Sequence, residues 1–112
     1  MIWTAAAFGL VFLGCSDHTD TASICDDDLP LTWDNWGDGF FASYCRSCHS
    51  ESTKQRYGAP DSVDFDDVED VQLWAERIHV RTIAEQTMPP GGGVLEEDLE
   101  FLSQYLQCLE PL

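Results

Sequence analysis

Trp33-Asp34-Asn35-Trp36-Gly37-Asp38-Gly39-Phe40-Phe41-Ala42-Ser43-Tyr44 runs without a break into Cys45-Arg46-Ser47-Cys48-His49. In the first part, Trp33, Trp36, Gly37, Phe40, Phe41 and Tyr44 fall at i, i+3, i+4, i+7, i+8 and i+11, which is one face of a helix. Thr32 is placed as its N-cap, with Pro30 just outside and Asp34 where the helix dipole favours a negative charge. Downstream, a second helix is predicted from Asp66 or Asp67, carrying Val68, Val71, Trp74, Ala75 and Ile78 on one face, with Arg77 and Arg81 toward its end. A break and restart is expected before Thr87. A last helix runs from about Leu95 to Gln107, with Leu99, Leu102, Tyr105 and Leu106 on one face and Glu96, Glu97 and Asp98 at its start. Val63-Asp64-Phe65 is too short for a strand, and Gly and Pro mark loops at 57–61 and 88–93. The pattern predicts an all-α fold.

Cys45-Arg46-Ser47-Cys48-His49 is a C-x-x-C-H motif, the attachment signature of c-type haem. Each thiol adds across one vinyl group, two intervening residues let a helical turn span the vinyls, and the next residue is carried under the iron. His49 is then the proximal ligand. C-x-x-C also serves redox pairs and half-sites for zinc. A thioredoxin-like pair calls for a preceding strand, whereas this motif follows an aromatic helix. Zinc needs two more ligands, and the candidates His18, His79, Cys25 and Cys108 form no second pair. On the opposite side, Met88 stands in Thr87-Met88-Pro89-Pro90-Gly91-Gly92-Gly93, a loop that proline keeps out of helix and that suits presentation of a thioether as sixth ligand. A gap-filling core role does not fit a methionine with no apolar neighbour before Val94 beyond the prolines.

The chain has 112 residues, enough for one domain, and a net charge of −16 from 21 acidic and five basic side chains. That balance excludes nucleic acid and anionic lipid headgroups as partners by repulsion. Residues 1–14 carry no charge and are dominated by apolar side chains; they read as a secretory signal of the lipoprotein type. Phe12-Leu13-Gly14-Cys15 resembles a bacterial lipobox, with Phe12 where leucine is usual, and makes Cys15 the lipidation site. Residues 15–28 read as a flexible acidic tether and 29–112 as the folded domain. The expected location is periplasmic and lipid-anchored to a bacterial membrane, or secreted if Cys15 is not acylated. Asp61, Asp64, Asp66 and Asp67 lack the calcium-loop pattern and read as a solvated face and helix start, and His79 as a surface residue.

From about Leu29 to Leu109 the sequence resembles a small class I cytochrome c domain of the kind found in bacterial lipoproteins. The resemblance is carried by the C-x-x-C-H motif and Met88, by Gly37 and Phe41 eight and four residues before Cys45, and by Leu102 and Tyr105 fourteen and seventeen residues after Met88. It implies the cytochrome c fold: three main helices plus loops wrapped around one haem, with the N- and C-terminal helices crossing. The short span from His49 to Met88 implies trimmed loops. Gly58-Ala59-Pro60 resembles the family's proximal loop, so that the Pro60 carbonyl would accept the hydrogen bond of His49. The implied protein is a monomeric one-electron carrier and not an enzyme, with one covalent haem c on Cys45 and Cys48, iron between His49 and Met88, and a basic redox partner. If the terminal helices cross, Cys25 and Cys108 meet at their outer ends, and a disulfide is expected. Two other readings stay open: a five-coordinate haem sensor or peroxidase-like domain in which Met88 is not bound, and a haem-free module stapled by disulfides.

Overall fold

The first helix is set locally by its cap. The Thr32 hydroxyl accepts from the Asn35 N–H at 3.2 Å while the Asn35 side chain accepts from the Thr32 N–H at 2.7 Å, a reciprocal capping box with Asn in the place of the usual Glu or Gln. A computed structural model describes residues 25–26, 29–110 and 112 of the chain. In it the capped segment opens as a π-helical turn, Trp33–Gly37, and continues as the α-helix Asp38–Tyr44; together they form α1. The wide first turn is visible in the Gly37 N–H, which bonds the Thr32 carbonyl at 3.0 Å.

α2 comprises the α-helix Val68–Ile78 and the π-helical segment His79–Ala84. The Asp67 carboxylate caps it by accepting from the Asp70 N–H at 2.9 Å. The expected break before Thr87 is not found. The helix widens instead, the Glu85 N–H reaching back to the Val80 carbonyl at 2.8 Å, so its hydrogen bonding continues through the place where periodicity drifts. α3 is Glu96–Cys108, with Leu102, Tyr105 and Leu106 buried. No strand occurs among the described residues, and the fold is all-α. No helix among them is long and apolar enough to cross a membrane. Residues 1–14, the Cys15 lipidation site, His18 and nearly all of the tether lie outside the described residues.

Phe40, Phe41, Phe65, Val71, Ile78, Leu102, Tyr105 and Leu106 form the core, each buried large apolar side chain contributing about 1.5–3 kcal/mol. α1 and α3 meet at Gly37. A Cβ there would lie 3.0 Å from the Tyr105 ring carbon Cζ and hydroxyl and 3.2 Å from Trp33, so any larger residue would push the tyrosine back by a few tenths of an ångström. Trp36 stacks on Phe40 (4.8 Å) and meets Phe101 edge-on (6.2 Å), extending the same contact. The Tyr44 hydroxyl ties the helices again by donating to Asp98 at 2.7 Å, and that bond raises the Tyr44 pKa. The Tyr105 hydroxyl has no hydrogen-bond partner among the described residues, and burial pushes its pKa up to about 12. Its ring is packed at the cost of an unpaired donor.

Cys25 and Cys108 are joined, Cα to Cα 5.4 Å, closing a span of 83 residues. On a loop-entropy account such a closure stabilises by roughly 4–5 kcal/mol, which matters in a body this small. It ties the chain ahead of α1 to the end of α3. Nearby, the Gln72 amide donates to the Glu110 carbonyl at 3.0 Å and brings the C-terminal segment onto α2.

Candidate cofactor site

Beyond Tyr44 the helical hydrogen bonds continue for one more turn. The Cys45 N–H reaches the Phe41 carbonyl at 3.0 Å, and the N–H groups of Cys48 and His49 bond the Cys45 carbonyl at 3.2 and 2.9 Å. This turn places both thiols and the imidazole along one wall of a cavity of about 460 Å³, within the ~300–1,000 Å³ of cofactor clefts. Met88 lines the same cavity with Pro89 and Pro90. Cys45, Cys48, His49 and Met88, picked from two distant parts of the sequence, are therefore brought together. His79 is exposed and apart from the cavity.

The turn is braced by its own second residue. Arg46 donates Nε to the Phe65 carbonyl at 2.8 Å and Nη2 to Asp38 at 2.7 Å, lies over the Trp33 ring at 5.2 Å, and offers its carbonyl to the Thr53 hydroxyl at 2.9 Å. Cys45 and Cys48 are free thiols. Burial pushes the Cys45 thiol up to about 12, the Arg46 charge opposing only in part. A thiol so placed stays protonated at neutral pH, unlike the low-pKa thiolates of disulfide-exchange enzymes.

His49 is held from both ends. Its carbonyl accepts from the Phe65 N–H at 3.0 Å, and its ring lies 5.0 Å from the Phe65 ring. Its Nδ1 donates to the Val63 carbonyl at 2.9 Å, which leaves Nε2 with the free lone pair. The acceptor expected here was Pro60, and that expectation is corrected. The Pro60 carbonyl is already taken by Arg56 Nη2 at 2.6 Å and by the Val63 N–H at 3.1 Å, which closes a turn and sets the Val63 carbonyl against the histidine. Pro60 remains on the cavity wall.

Two more side chains differ from the sequence reading. Asp64 is not a solvated acid: only 18% exposed, it pairs with Arg56 at 2.7 Å, because a guanidinium drawn inward needs a counter-charge. Asp66 is more than a helix start. Burial alone would raise its pKa, but hydrogen bonds from Ser50 and the Glu51 N–H, and the charges of Arg46 and Arg56, outweigh that and hold it below the usual carboxylate value. Arg56, Val63 and Phe65 had not been singled out. The signal for Arg56 was present: with Lys54 it is one of only two lysine or arginine residues in the acid-rich stretch from Ser50 to Glu76.

On the far side the Met88 segment hangs from α2. The N–H groups of Thr87 and Met88 both bond the Arg81 carbonyl, at 2.8 and 3.1 Å, and the Thr87 hydroxyl reaches the same oxygen at 3.3 Å. The electrostatics of the cavity invert those of the chain. Among the described residues no carboxylate lines it, whereas Arg56, Arg77 and Arg81 do. Arg56 and Arg81 are paired with acids; Arg77 is exposed and in no ion pair among the described residues.

The residues present fit a covalently held haem: two free thiols with two residues between them, an imidazole with a free Nε2, a thioether from another segment, and cations for the carboxylates of the ring. No group of three or more His, Cys, Asp or Glu side chains placed to hold a metal ion occurs among the described residues. No family model, curated protein or solved structure matches the chain.

Proposed function

We propose that the protein is a c-type cytochrome carrying single electrons, with one haem attached through Cys45 and Cys48 and its iron held by His49 and Met88. The observation that carries this reading is the gathering of those four side chains around one cavity. The contact of α1 and α3 at Gly37 and Tyr105 is in keeping with the crossing of terminal helices in the cytochrome c fold. When bound, the haem supplies a one-electron iron couple. Cys45 and Cys48 hold it by thioether bonds, so it cannot dissociate. Val63 keeps the proton of His49 on Nδ1 and so keeps Nε2 available as a donor. Met88, a soft thioether, favours the reduced metal and shifts the potential upward. Phe65, Trp74, Ile78 and the prolines give the site apolar walls. Arg77 and Arg81 offer charge to the ring carboxylates. With His49 and Met88 both given to the iron, no position would be left open for oxygen or peroxide, which favours a carrier over an enzyme.

The N-terminal pattern extends the proposal to export, acylation at Cys15 and tethering to a bacterial membrane, the compartment in which covalent haem attachment takes place. The net charge of −16 then favours a basic redox partner, with association that slows as salt rises. The test is to produce the chain alongside a haem-attachment system. Coloured protein whose haem survives denaturing electrophoresis, and whose oxidised spectrum loses its weak red-end sulfur band in Met88→Ala, is the expected result. Colourless protein from a competent host defeats the proposal. An unchanged spectrum in Met88→Ala defeats the sixth-ligand assignment and leaves the five-coordinate reading.

A further inference from the structure

The segment between the C-x-x-C-H turn and α2 has no regular secondary structure, yet it supplies the acceptor for His49. One side chain organises it. Arg56, 12% exposed, donates Nη1 to the Ser50 carbonyl and to Asp64, both at 2.7 Å, and Nη2 to the carbonyls of Pro60 at 2.6 Å and Val63 at 3.0 Å. Its Nε reaches the Ala59 carbonyl at 3.4 Å and lies 3.8 Å from Asp61. Five points of a loop from Ser50 to Asp64 are thus gathered on one planar group, and one of them is the carbonyl that His49 uses.

We infer that Arg56 is a positioning residue for the iron-binding imidazole, acting through the Val63 carbonyl; this rests on the haem reading above. The loop has no ladder or helix of its own to keep Val63 in place; the backbone bond from the Val63 N–H to Pro60 fixes the local turn, and the one from the Phe65 N–H to the His49 carbonyl fixes the end of the loop, two residues beyond Val63. The fork geometry of a guanidinium is required, because a lysine ammonium carries three donors on one atom and cannot meet carbonyls on both edges of a plane. A His49 whose Nδ1 proton lacks a fixed acceptor is a weaker donor to iron. Oxidised iron is then less stabilised and the potential rises.

The test is Arg56→Lys in the mature haem protein. The charge is kept, so a change reports geometry and not the loss of a cation. Two quantities are read: exchange of the His49 Nδ1 proton in the reduced protein by NMR, and the reduction potential. Losing the fork should let the loop open about tenfold more often, equivalent to one or two net hydrogen bonds, and speed the exchange by the same factor. The potential should move upward. Asp64→Asn, which releases only one partner, should shift both quantities the same way by less, and it decides the matter if the lysine variant does not fold. Unchanged exchange and potential overturn the inference, and so does faster exchange at a constant potential, which is what a merely structural role gives. Failure of the haem reading itself would be seen separately, as an unmodified protein that matures without haem.

Discussion

On the His49 side of the cavity, one guanidinium, a buried aromatic ring and a chain of backbone hydrogen bonds hold the loop from Ser50 to Phe65; on the Met88 side, Thr87 and Met88 hang from a single carbonyl, that of Arg81. The difference follows from composition. The proximal segment contains a basic residue able to gather backbone carbonyls. The distal segment contains Pro89 and Pro90, which have no N–H to donate, and three glycines, none with another group within 4 Å of a would-be Cβ. One wall is held by polar bonds along its whole length, the other by the bonds to Arg81, one turn closed from the Gly92 N–H to the Pro89 carbonyl at 2.8 Å, and the restricted torsions of proline. On the proposed haem reading, the weaker point of the site is the thioether of Met88.

Three substitutions sharpen this contrast. Phe65→Ala should cost the most, about 3–5 kcal/mol by chemical denaturation, since the ring is 7% exposed and packs on both His49 and Phe41. A loss below ~1 kcal/mol would mean that the proximal wall is not part of the core. Asp66→Asn should have a smaller effect that depends on pH. The folded-state pKa of Asp66 is lowered, so its contribution is present above the ordinary carboxylate value and disappears as pH falls through the folded value. Wild type and variant should therefore differ at pH 7 and converge in acid, and a gap that persists in acid counts against the assignment. Smallest should be Gly91→Ala on the distal wall. That glycine has a free Cβ position and is not among those at positive φ, so alanine should be neutral or stabilise by up to ~1 kcal/mol through the unfolded chain. Gly92→Ala, at φ +67°, is the control and should destabilise. If the two behave alike, the distal loop is not held in this conformation in solution.

The helices were legible because their signals are local. Thr32 and Asp67 cap from within three residues, and the apolar spacing of Val71, Ile78, Leu102 and Tyr105 repeats with the helical turn. The π-helical segment His79–Ala84 was not, because one residue more per turn leaves no mark on composition and reads as a break in phase. The four candidate ligands were legible as chemistry: thiols at a fixed interval, the imidazole next to them, and a methionine that no apolar neighbours could claim.

What the chain alone determined is thus the all-α character, the helix starts and the identity of the donors, all set by interactions within a few residues. Only the tertiary structure decided which carbonyl faces His49, that Asp64 turns inward to Arg56, and that three arginines line the cavity of an acidic protein. Those choices depend on groups many residues apart competing for the same partners. Arg56 takes the Pro60 carbonyl, and the histidine is left with Val63. Local propensity carries no record of such competition, because it is settled only when the loop closes.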